Sequence, residues 1–162
     1  MRLVRLLLLS SILLTPSLTS AQEWAPEEAA LIEHIKSCWD AWISSGDQGG
    51  PDAFFQQCPH AEDSSMWWTE FGAPQTTDRI RREWAFTSRV DLAWIDLQPV
   101  AVRIWGDVGM VQLYGTWKAQ SPEGVVTTEY KRTELFRKVD GRWIFLGGQG
   151  TPSSAKDAEP YG

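Results

Sequence analysis

Residues 97–150 read LQPVAVRIWGDVGMVQLYGTWKAQSPEGVVTTEYKRTELFRKVDGRWIFLGGQG, and this stretch decides the fold. Three junctions cut it: Trp105-Gly106-Asp107, Ser121-Pro122-Glu123-Gly124 and Val139-Asp140-Gly141. Gly and Asp at such places supply the backbone freedom that tight reversals need. The runs between them are rich in Val, Thr, Tyr, Trp and Phe, which suit a pleated, half-buried surface. The pattern predicts an antiparallel meander of long strands. Pro99 cannot donate to a ladder, so a bulge or a sheet edge is expected there. Val111, Leu113 and Trp117 share one face of their run, while Met110, Gln112 and Tyr114 share the other. Val125 to Lys138 is polar on both faces in its middle, where Glu134 stands. Trp143, Ile144, Phe145 and Leu146 are apolar on both faces, and such a strand must be covered on both. Helices cover one side; a second subunit on the other predicts a homodimer through the sheet.

The earlier chain supplies the helices. Pro26, then Glu27 and Glu28, suit a helix N-terminus, and Leu31, Ile35, Cys38, Trp39, Trp42 and Ile43 recur on one arc. Gly46-Asp47 and Gly49-Gly50-Pro51 end that helix. Asp52 to Gln57 predicts one or two further turns, Cys58 to Ser65 a polar loop, and Met66 to Thr69 a short strand. A second amphipathic helix starts at Thr76 or Thr77, with Ile80 and Trp84 on its inner face.

Residues 1–21 carry a basic start at Arg2 and Arg5, an apolar run from Leu6 to Leu14, and small residues Thr19-Ser20-Ala21. They predict a cleaved signal peptide and an exported, periplasmic or secreted protein. The apolar run falls short of the ~20 residues that span a bilayer, so no membrane insertion is expected after cleavage. One domain, residues 22–150, and a flexible tail, 151–162, remain. Losing two arginines and no acid takes the net charge from −6 to −8. An acidic domain without a Lys/Arg cluster excludes nucleic acid and anionic membranes as partners. Ten tryptophans are far above ordinary usage. They read either as core filler or as the wall of a ligand pocket. Cys38 and Cys58 are the only cysteines. In an oxidising compartment they predict a disulfide closing a loop of about 20 residues, worth ~3 kcal/mol, over the rival of two buried thiols.

Helix, short helix, strand, helix and meander together resemble the SnoaL-like branch of the nuclear transport factor 2-like superfamily, which includes ketosteroid isomerases. The matching pieces are Ala41-Trp42-Ile43-Ser44-Ser45-Gly46-Asp47, Gly72 leading to Ile80-Arg81-Arg82-Glu83-Trp84, and Gly106-Asp107-Val108-Gly109-Met110-Val111. Arg132-Thr133-Glu134-Leu135-Phe136-Arg137-Lys138 and Asp140-Gly141-Arg142-Trp143-Ile144 complete them. The resemblance implies an α+β, cystatin-like fold: a cone-shaped, curved antiparallel sheet wrapped around the N-terminal helices, with a pocket at its wide end. It implies no single activity, since the superfamily holds isomerases, hydrolases, cyclases and non-catalytic binders.

Ketosteroid isomerases use an Asp base near the first strand, with a Tyr and a protonated Asp as oxyanion donors. Here Thr69-Glu70-Phe71-Gly72 occupies the base region, so Glu70 is the candidate catalytic carboxylate. Trp39 and Trp42 stand where a helix Tyr would serve, and indole N–H exchanges no proton usefully near neutral pH. Many relatives end the last strand in a His-containing segment, whereas this chain has Gly147-Gly148-Gln149-Gly150. The candidate pocket residues are Trp39, Trp42, Trp67 and Trp84, joined by Tyr114, Trp117 and Glu134. Cys58, His60 and Asp63 are ligating types at irregular spacing, and neither His34 nor His60 is placed with acids at ligand spacing, so no metal is expected. No nucleotide signature is present, and no cofactor is expected. The reading is an exported pocket protein for a small, largely apolar ligand, without catalysis. Its rival is an isomerase- or hydrolase-type enzyme using Glu70 as general base.

Overall fold

A computed structural model of the chain describes residues 22–45, 50–69, 72–87, 91–121 and 124–152. Helix α1 (Pro26–Ser44) begins with Pro26 in its first turn and Glu27 and Glu28 at the positive end of its dipole. The Glu28 carboxylate accepts from the Ala25 N–H at 3.1 Å, closing a terminus that has no side-chain N-cap. Leu31, Ile32, Ile35, Cys38, Trp39 and Trp42 form its buried face. Helix α2 (Gly50–Gln57) starts two residues before Asp52, because Pro51 is pre-set for a first helical turn, and it buries Phe54 and Phe55.

The largest departure from the sequence reading is β1 (His60–Trp68), a nine-residue strand where a loop and a short strand were expected. Alternation holds only in its second half, where Ser64 and Met66 are buried and Asp63 and Trp67 exposed; the first half has a register shift between His60 and Ser65. A two-residue strand, β2 (Gln75–Thr76), pairs with β1 and leads into α3 (Thr77–Thr87). The buried Thr77 hydroxyl, at the start of α3, hydrogen-bonds the Ser64 hydroxyl of β1.

Strands β3 (Asp91–Trp105), β4 (Val108–Ser121), β5 (Gly124–Val139) and β6 (Arg142–Pro152) form the meander. The sheet order is β2-β1-β6-β5-β4-β3, curved and unclosed. Every pairing is antiparallel except β1 with β6, which is parallel. Pro99 lies on the edge strand β3, at a register shift between Pro99 and Ala101. The inner face presents Val102, Val111, Leu113, Phe136, Trp143 and Phe145 to α1 and α2 in one core. Burying each large apolar side chain contributes about 1.5–3 kcal/mol before entropy is charged against it. β6 runs on through Thr151 and Pro152, opposite Lys131 and Tyr130. The expected signal peptide and the tail from residue 153 lie outside the described residues, among which no helix is long and apolar enough to cross a membrane.

β6 is kinked where Leu146 is an extra residue: Phe136 pairs with Phe145, but Leu135 pairs with Gly147. Gly147 has φ +154°, and a Cβ there would lie 2.8 Å from the Ser65 carbonyl oxygen of β1. Backbone oxygen cannot move aside as a side-chain tip can. Gly147→Ala is therefore expected to destabilise the fold by about 1–3 kcal/mol, read as a lower urea midpoint. An unchanged midpoint would refute this account of the bend.

Candidate functional site

Strand alternation turns Arg132 and Glu134 inward with Phe136, into a face otherwise lined by apolar groups. Glu134 is only 4% exposed and pairs with the Arg132 guanidinium. Burial pushes the Glu134 carboxyl above the usual carboxylate range, and the nearby Arg132 charge opposes that rise. The guanidinium carbon lies 5.6 Å from the Trp39 ring centroid and 5.4 Å from that of Trp68. An indole from α1 and one from β1 thus flank a cation whose side chain is only 12% exposed. Trp68 lies against β6 because residue 150 is glycine; a Cβ there would run into the ring. Tyr130 continues the aromatic chain, 5.1 Å from Trp68 and 5.9 Å from Trp117. Arg132 Nε and Trp117 Nε1 are both buried N–H donors without an acceptor among the described residues.

Between Trp39, Cys58, His60, Trp68, Arg132 and Glu134 lies a cavity of about 30 Å³. That is room for about two waters, so the interior is closer to packed than hollow. Of the residues expected to wall a pocket, Trp39 and Glu134 line this cavity. Trp42 is buried behind it, stacked on Trp39 at 5.9 Å. Trp117 does not line the cavity; it packs against the core and lies 5.9 Å from Tyr130. Trp67 (53% exposed) and Tyr114 (47%) do not join the cavity. Each alternates with a buried neighbour, Met66 and Leu113, so strand phase turns it outward. Tyr114 instead borders a shallow outer groove of about 360 Å³ with Val100, Gln112 and Lys131. Glu70 and the Trp84 side chain lie outside the described residues. The sequence reading did not nominate Arg132, Trp68 or His60 for the pocket. For Arg132 the signal was its parity with Glu134 and Phe136.

A second cluster adjoins the first. His34 and Cys38 lie one turn apart on α1, and Cys58, just past α2, comes alongside them. His34 Nε2 is 3.8 Å from Cys38 Sγ and 3.9 Å from Cys58 Sγ. Both cysteines are buried free thiols, so the expected bridge is not formed in this structure. Cys38 Sγ also lies 3.2 Å from the His34 carbonyl oxygen. The Cys58 thiol is held well below its ordinary range, first by a hydrogen bond from Cys38 and, against the pull of burial, by the His34 and His60 rings. The Cys38 thiol, as donor, is pushed up. Asp63, the third member of the irregular trio in the sequence, is exposed. The His34-x₃-Cys38 spacing was readable, but a search for carboxylates beside the histidines passes over it.

No protein-family model matches the sequence, and no curated protein matches it. Solved structures do match its fold. A ketosteroid isomerase-like protein from Erwinia carotovora atroseptica is 15% identical, with a TM-score of 0.58 over 81% of this chain and 99% of that one. An NTF2-like protein of unknown function from Shewanella oneidensis is 16% identical, with a TM-score of 0.56 over 76% and 97%. The CaMKII hub of S. rosetta is 19% identical, with a TM-score of 0.60 over 82% and 100%. The chain has the nuclear transport factor 2-like fold. At these identities the likeness extends to the fold alone.

Glu134 makes the site sensitive to pH with a definite sign. A carboxyl whose pKa is raised on folding adds stability below its unfolded value and loses it as pH rises through the folded value. Subtracting the stability profile of Glu134→Gln from that of the wild type, both in reductant, should leave a component that falls with rising pH. That fall lies between the ordinary carboxylate value and the raised one. A flat difference would show that Arg132 cancels burial, and one rising with pH that it outweighs burial.

Proposed function

We propose that the chain is an exported, non-catalytic binding module for a small, largely apolar ligand that carries one hydrogen-bond acceptor. The observation supporting this is the Arg132 Nε–H, which has no acceptor among the described residues and lies buried beside two indole faces and a cavity. A buried donor left unmatched costs about 1–3 kcal/mol, which a ligand oxygen at that point would recover. The Trp117 indole N–H is a second unmatched donor on the same aromatic chain. The cavity is small, so a flat ligand enters by displacing an indole from the Arg132 face. Fold alone would leave this choice open.

The outer sheet face supports the homodimer in this reading. Tyr114, Val100 and Leu135 are exposed there, and Ile144 and Leu146 are only half-covered. A second copy laid on that face would cover them. Export and signal cleavage rest on the composition of residues 1–21.

The enzymatic reading, an isomerase or hydrolase with Glu70 as base, has one observation in its favour. Glu134 is a buried carboxyl with a raised pKa beside a cavity, the usual setting of a catalytic acid or base. Its pairing with Arg132 favours a structural role instead. Glu70→Gln with unchanged turnover of candidate carbonyl or epoxide substrates would leave that reading without its base.

Binding can be probed with 8-anilinonaphthalene-1-sulfonate, an apolar ring system with an anionic acceptor. The expected result is saturable binding that quenches tryptophan emission, weakened about 10- to 100-fold in Arg132→Met. Native mass spectrometry of protein from its own host should show a retained small molecule. Folded wild type with neither saturable binding nor a retained molecule would overturn the proposal.

A further inference from the structure

We propose that His34, Cys38 and Cys58 form a buried site for a soft d¹⁰ cation, Zn²⁺ or Cu⁺. The inference is independent of the ligand pocket and of any catalytic role.

The donor set carries the first argument. Thiolate sulfur and imidazole nitrogen are the ligands such ions select, and hard cations such as Mg²⁺ and Ca²⁺ avoid them. The spacing carries the second. An ion roughly 2.3 Å from sulfur and 2.1 Å from nitrogen sets those ligands roughly 3.6–3.8 Å apart, between tetrahedral and trigonal angles. The two nitrogen–sulfur distances here are 3.8 and 3.9 Å, and all three ligand atoms lie within 4.8 Å of one another. Little of the site would have to move.

The scaffold supplies the third argument. His34 and Cys38 are one turn apart on the 19-residue α1, and Cys58 is anchored by its N–H to the Phe54 carbonyl at 2.7 Å. Rigid elements therefore present all three donors. His60 lines the same cavity as the two sulfurs, and its Nδ1 is 3.3 Å from the Thr77 hydroxyl. That contact orients the ring beside the site, as outer-shell partners do. Both sulfurs line the cavity, which leaves space beside them for an ion.

Charge chooses between the ions. Two thiolates and neutral imidazoles cancel Zn²⁺, so the filled site adds no net charge to the core. Cu⁺ would leave one negative charge near the buried Glu134, so zinc is the better match. A Cys38–Cys58 disulfide would consume both ligands, and the thiol state is therefore part of the test.

The experiment uses the full mature chain, reduced, stripped of metal and kept anaerobic. Co²⁺ is titrated as an optical stand-in for Zn²⁺, and Cu⁺ is titrated separately against a competing chelator. The expected result is a thiolate-to-cobalt charge-transfer band that saturates at one equivalent and is bleached by Zn²⁺. Cys38→Ser and Cys58→Ser should abolish the band. Because those side chains are buried in the core, half-buried His34→Gln carries the test if the cysteine variants fail to fold, with affinity expected to drop about tenfold or more. Binding of Zn²⁺ and Co²⁺ identifies a zinc site; binding of Cu⁺ alone identifies a copper site. The proposal is overturned if the reduced, folded chain binds neither, if His34→Gln binds as tightly as wild type, or if protein from its own host carries a complete Cys38–Cys58 bridge.

Discussion

A carboxylate on the covered side of the sheet governs the interior. Moving Glu134 out of water costs several kcal/mol unless a partner offsets it, and Arg132, two residues along the same strand face, is that partner. The guanidinium then needs an environment of its own. It finds two aromatic faces, Trp39 from α1 and Trp68 from β1, and Trp68 reaches it only because Gly150 offers no side chain. Four elements of the fold are thus tied to one buried charge. A well-packed apolar pair would often serve stability as well or better. The pair fixes how those four elements meet more than it adds to their strength.

The sheet places that pair where helices can reach it. Without the extra residue at Leu146, the parity of β6 would run unbroken from Trp143 to Gly150. The bulge bends the strand beside Gly147, where β1 comes within a Cβ's reach. β1 accordingly joins in parallel as a continuation of the inner wall and carries Met66 and Trp68 into the core region. Curvature, pairing direction and the delivery of Trp68 are one geometric event.

The meander was legible because its turns carry Gly and Asp and its strands carry the period-two alternation. α1 was legible because its apolar arc is dense and uninterrupted. β1 was not, because His60 to Ser65 is polar and its pairing partner lies more than 80 residues downstream. Local composition cannot report a distant strand. The pocket was only partly legible for a related reason: an indole's value depends on strand phase. Trp67 and Trp68 are adjacent in sequence, yet the first stands in solvent and the second lies against Arg132. Weighing tryptophans as a class overlooked that, and it also passed over Arg132, which faces inward.

The cysteine pair poses the sharper physical choice. A disulfide and a metal would both tie α1 to the start of β1 across the α2 excursion, and each would limit the unfolded chain. They differ in what they leave behind. A disulfide is chemically quiet and removes both thiolates, whereas an ion keeps them and recruits His34. The structure supplies a helix nitrogen 3.8 and 3.9 Å from the two sulfurs and a Cys58 thiol held below its ordinary range. A bridge uses neither feature. A site whose second ring, His60, is already oriented by Thr77 is more than two thiols waiting to oxidise. Cys38 and Cys58 also line the cavity beneath Arg132, so whichever state they hold forms the floor of the pocket above.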